Sequence, residues 1–125
     1  MPGSGGRTNR KVTRFDLDKR VRVVVSGEGP ATVLHGRTCD ISEGGLCALI
    51  SGPLKIADNV MLEIAGFEEG ILALHAKVRH ARGFYYGFEF VHLDRKQTAS
   101  LVKFMTRNAT PKLRGKFDST QEKTP

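Results

Sequence analysis

The chain has no tryptophan, only two cysteines, and an aromatic content of 7%. Two cysteines, Cys39 and Cys47, cannot build a disulfide scaffold. With His35, His75, His80 and His92 they form no Cys-x-x-Cys or His-x-x-x-His spacing, so no metal site is expected. No apolar run approaches the ~18 residues of a membrane-spanning helix, and no membrane insertion is expected. The first ten residues, MPGSGGRTNR, lack the apolar stretch of an export signal. A reducing, cytoplasmic location is therefore the expectation. Ser42 has no Gly-x-Ser-x-Gly elbow around it, and no Walker or dinucleotide fingerprint occurs. The chain is read as a non-enzyme with no cofactor.

What remains is a basic chain of 125 residues, 39% hydrophobic and 26% charged, the size of one domain. Its net charge of +7 is unevenly spread. Residues 1–25 hold seven Lys/Arg against two acids, and residues 106–125 hold five against two. The stretch 26–105 holds eight against nine, a net of −1. A near-neutral body with basic ends suits a polyanion or a compact anion held by a few arginines. Solvated basic tails satisfy the same composition. The expected organisation is a flexible leader over 1–9, one domain over 10–109, and a disordered basic tail over 110–125.

Within the body, the alternation of Val21, Val23 and Val25 with Arg20 and Arg22 predicts a half-buried strand. Further strands are expected over 31–38, 46–50, 60–64, 71–80 and 84–91, each bounded by glycine or proline. In the last of them Tyr86, Phe88 and Phe90 oppose Tyr85, Gly87 and Glu89. After Asp94 the period changes. Ala99, Leu101, Val102 and Met105 follow helical spacing, and Asp94 with Gln97 forms a capping-box pair. Six short strands and one helix predict a mainly β fold: a six-stranded antiparallel barrel with a C-terminal α-helix.

Two constellations carry chemistry. Arg10 and Arg14 form an Arg-x-x-x-Arg pair beside Arg7 and Lys11. Guanidinium forks suit phosphate oxygens and the O6/N7 edge of guanine. Asp40-Ile41-Ser42-Glu43-Gly44-Gly45 reads as a turn whose glycines can take positive φ and whose backbone N–H groups can face an anion. Asp40 could accept from guanine N1–H and N2–H₂, or cap its own turn.

Together, Arg-x-x-x-Arg and, 26 residues after Arg14, Asp-x-Ser-x-x-Gly resemble the paired signature of the PilZ domain family. Tyr86-Gly87-Phe88-Glu89-Phe90, followed by a helix, is similar to that family's closing strand. The resemblance spans about 10–107. It implies a six-stranded barrel that binds cyclic di-GMP. It implies that Arg10 and Arg14 contact phosphate and guanine, Asp40 a guanine edge, and Ser42 a base or phosphate. It implies that Gly45 is needed for turn geometry and close approach. Lys11, Gly44 and His80, with Arg79 as an alternative to His80, are further candidate contacts.

The resulting expectation is a receptor that binds cyclic di-GMP and signals to a downstream protein by ordering its N-terminal segment. Two other readings stand beside it. One is a small-barrel nucleic-acid binder, which the near-neutral body and sparse strand aromatics argue against. The other is an adaptor of the same fold without ligand binding, which the intact Arg10, Arg14, Asp40, Ser42, Gly45 set argues against.

Overall fold

The computed structural model describes residues 13–27, 29–66 and 70–111. Its elements are β1 (Phe15–Asp16), β2 (Arg20–Val25), β3 (Thr32–Ile41), β4 (Gly45–Ile50), β5 (Asn59–Ala65), β6 (Ile71–Arg82), β7 (Tyr85–Phe90), α1 (Arg95–Asn108) and β8 (Thr110–Pro111). Strands β2, β5, β6, β7, β4 and β3 are hydrogen-bonded in that order, and β2 pairs back onto β3. This closes the expected six-stranded antiparallel barrel, which removes the open edges a flat sheet would leave.

Period-two alternation sets the inside. Val21, Val23, Leu46, Ala48, Ile50, Val60, Leu62, Ile64, Leu74, Ala76, Val78, Tyr86, Phe88 and Phe90 all point inward and are buried. Helix α1 starts at the predicted capping box: Asp94 accepts from the Gln97 N–H at 2.7 Å, and Gln97 accepts from the Asp94 N–H at 3.1 Å. Its buried face is Leu101, Phe104 and Met105, which join the barrel core as one cluster. The expected face was different. Ala99 is exposed and Val102 is 40% exposed, so Phe104, not Val102, completes the inner stripe.

Two departures matter for the site. β3 runs to Ile41, so Asp40 and Ile41 are strand residues and the turn begins only at Ser42. The N-terminal half of β3 pairs with β2, and its C-terminal end pairs with β1 through Phe15↔Ile41 and Asp16↔Asp40. Thr110–Pro111, expected to open the tail, instead pairs with β1 as a short strand. Buried Thr38 fixes the β1–β2 connection: its hydroxyl donates to the Leu17 carbonyl at 2.9 Å and accepts from the Lys19 N–H at 2.8 Å. That anchor sets where β1, and Arg14 before it, can lie.

Candidate functional site

Register places the signature residues on the outer barrel surface. Asp40 of β3 lies opposite Cys47 of β4, Cys47 opposite Gly87 of β7, and Gly87 opposite His80 of β6. These four positions form one lateral row across four strands. β-Bulges interrupt the pairing between Thr38 and Asp40 and between Val78 and His80, at both ends of that row.

Arg14, one residue before β1, reaches over the row. Its Nε and Nη2 donate to the same Asp40 Oδ1 at 2.9 and 2.5 Å. Its Nη1 donates to Ser42 Oγ at 3.4 Å, and Nη2 lies 3.7 Å from Cys47 Sγ. The Asp40 side chain is 10% exposed and that of Arg14 38%, so the pair is partly shielded from water.

Ser42 is buried and organises the turn. Its Oγ accepts from the Gly44 and Gly45 N–H groups at 3.1 and 3.2 Å, and its own N–H donates to the Gly45 carbonyl at 2.8 Å. Those two glycine N–H groups point at Ser42, not outward as the turn sequence suggested. Neither Gly44 nor Gly45 has a positive φ. Gly45 is required for another reason: a Cβ there would stand 2.2 Å from the Phe88 carbonyl oxygen. The close approach is between β4 and β7.

Gly87 provides a flat floor. A Cβ on it would come within 2.9 Å of His80 Cδ2, so the imidazole lies against the bare backbone. His80 is exposed on its other side. Arg79, at the bulge, is held by Glu89 at 2.5 Å. Arg10 and Lys11 lie outside the described residues.

Sequence reasoning missed Cys47 and Tyr85 as site members. Tyr85 is 38% exposed beside Cys47, and the Cys47 side chain, partial desolvation and the nearby charges of Cys47, Asp40 and Cys39 push its pKa up. The alternation of β4 and β7 was legible; the register that brings these side chains to Asp40 was not. Both cysteines are half-buried. Among the described residues no cluster of His, Cys, Asp or Glu could hold a metal ion, and no helix is long and apolar enough to cross a membrane.

A model of the PilZ domain matches residues 8–107. Solved structures that share the fold include the following three. The PilZ domain of CeSA from a cellulose-synthesizing bacterium is 22% identical with a TM-score of 0.62, over 72% of this chain and 91% of that one. The PilZ domain with c-di-GMP of YcgR from Escherichia coli is 14% identical with a TM-score of 0.64, over 92% and 98%. The Bacillus subtilis inhibitor of motility MotI/DgrA is 17% identical with a TM-score of 0.60, over 78% of this chain and 50% of that one. A search of curated protein sequences gives no match.

Proposed function

The chain belongs to the PilZ domain family, and on that premise we propose that it is a non-enzymatic receptor for the bacterial second messenger cyclic di-GMP. The observation that carries this reading is the Arg14–Asp40–Ser42 cluster, in which two motifs far apart in sequence meet at hydrogen-bond distance. The similar YcgR domain holds the same ligand.

Each member has a chemical task. Arg14 has a planar donor fork suited to phosphate oxygens or the guanine O6/N7 edge. Asp40 is an acceptor matched to the guanine N1–H and N2–H₂ edge. Both cannot serve a ligand fully while they serve each other, so binding exchanges the Arg14–Asp40 contact for contacts to phosphate and base. Ser42 and Gly45 hold the turn from below. His80, lying flat against Gly87 on the same row, is placed to meet a purine face. Arg10 and Lys11 supply further charge as the N-terminal segment closes over the ligand, and that ordering is the signal passed to a downstream protein.

A nucleic-acid binder would need a series of exposed stacking aromatics along its strands, and this row offers a carboxylate, a thiol, a glycine and a single imidazole. Titration calorimetry with cyclic di-GMP, with GTP and single-stranded DNA as controls, tests the proposal. Saturable heat with cyclic di-GMP alone is expected; a flat trace with it overturns the reading.

A further inference from the structure

A groove of about 280 Å³ lies between α1 and the signature turn, lined by Phe15, Glu43, Val102, Met105, Thr106 and Pro111, among others. We infer that this groove is the docking surface for the downstream protein, and that it takes an acidic segment carrying one bulky apolar anchor. The inference rests on the receptor reading for its control by ligand.

Size favours an inserted side chain over a whole small molecule. The volume lies just below the roughly 300–1,000 Å³ of ordinary ligand pockets, and it fits an apolar side chain inserted from a larger partner. Interface energy concentrates in such anchors. The walls suit one: Val102 is 40% exposed on the face of α1 that the core does not use, and Phe15 packs only partly against the core.

Charge selects the partner's flanks. Helix α1 carries Arg95, Lys96, Lys103 and Arg107 and no acidic residue. All four are exposed. Lys103 and Arg107, one turn apart, stand on the flank beside Val102 and Thr106. Glu43 is the charged residue of the lining itself, so the apolar anchor enters the groove while the acidic residues beside it lie along this flank, where they meet opposite charge.

Position couples the groove to the messenger site. Phe15 shares a peptide bond with Arg14, and Glu43 lies between Ser42 and Gly44 in the signature turn. Release of Arg14 from Asp40 removes the side-chain tie on the residue that leads into Phe15, and that is the route by which the messenger reaches the groove wall. Two walls of the groove therefore belong to segments that also hold the Arg14–Asp40–Ser42 cluster.

The test is selection of a random-peptide display library on the whole chain, with and without cyclic di-GMP, beside calorimetry of cyclic di-GMP on the same protein. Enriched peptides are expected to carry acidic residues around an apolar anchor. They should bind Val102→Glu and Lys103→Glu at least about ten-fold more weakly, while both variants keep wild-type cyclic di-GMP affinity and melting. Wild-type peptide affinity should change on adding the messenger. Peptides that ignore both substitutions, neutral or basic peptides, or no enrichment at all overturn the docking surface. Groove-dependent peptides with no heat from cyclic di-GMP would instead sink the receptor reading and leave the docking surface standing. Lys103→Glu keeps the test decisive if Val102→Glu fails to fold.

Discussion

Arg14 donates twice to a single oxygen of Asp40, at 2.9 and 2.5 Å, across 26 residues of sequence. The two residues that the paired motifs assign to a ligand are thus each other's partners. The contact ties the segment before β1 to the end of β3, so it is structural as well as a candidate for exchange.

Arg14→Ala should lower cyclic di-GMP affinity about 10- to 150-fold, the worth of a charge-assisted contact. It should also lower stability by about 1–3 kcal/mol, because a nearly buried carboxylate loses a partner. Arg14→Lys should weaken binding too, since an ammonium cannot reproduce the fork. Calorimetry and thermal melting of both variants check this. Wild-type affinity in Arg14→Ala would remove Arg14 from the site.

The turn residues should separate by mechanism. Gly45→Ala drives a Cβ into the Phe88 carbonyl at 2.2 Å, so β4 and β7 must shift, at a cost of roughly 1–3 kcal/mol or more. Gly44→Ala meets nothing nearer than Ser42 Oγ at 3.9 Å and should melt close to wild type. Ser42→Ala strips an acceptor from two N–H groups and should cost about 1–3 kcal/mol. Melting curves for the three decide it; equal effects of Gly44→Ala and Gly45→Ala would contradict the steric account.

The elements most legible in sequence were those whose pattern is a local consequence of geometry. Val21/Val23 and Tyr86/Phe88/Phe90 announced inward faces because side chains alternate along any strand. Asp94 and Gln97 announced the helix start because a cap needs only neighbours in sequence. Asp40 misled because its residue type favours turns, while β1 pairing keeps its backbone in the sheet. β1 and β8 are two residues each, too short for any period. The reason for Gly45, and the membership of Cys47 and Tyr85, depend on which strand lies beside which, and a single strand's sequence does not encode that.

Tyr85 gives a pH signature. The adjacent Cys47 side chain, partial desolvation and the neighbouring negative groups raise its pKa above the ordinary value of about 10. The folded chain therefore keeps this proton where the unfolded chain releases it. The contribution is fully present below pH ~10 and is lost as pH rises above it through the folded pKa. Tyr85→Phe should remove that part of the alkaline decline. Melting of wild type and variant across this range reads it; parallel declines would mean that the phenol is not perturbed.

Asp40→Ala distinguishes a messenger receptor from a binder of nucleic-acid backbones. The carboxylate repels phosphate in general but accepts from a guanine edge, so its loss should act oppositely on the two ligand classes. Removing it also releases the Arg14 fork, which adds free positive charge at the surface. Cyclic di-GMP affinity should therefore fall, and binding to single-stranded DNA should stay weak or rise slightly. The DNA term should also carry the steep dependence on salt that counterion release imposes, while guanine-edge contacts should not. Titrating both ligands into wild type and Asp40→Ala at low and high salt separates the terms. Tight, salt-steep DNA binding that ignores Asp40, together with no cyclic di-GMP binding, would require the receptor reading to be abandoned.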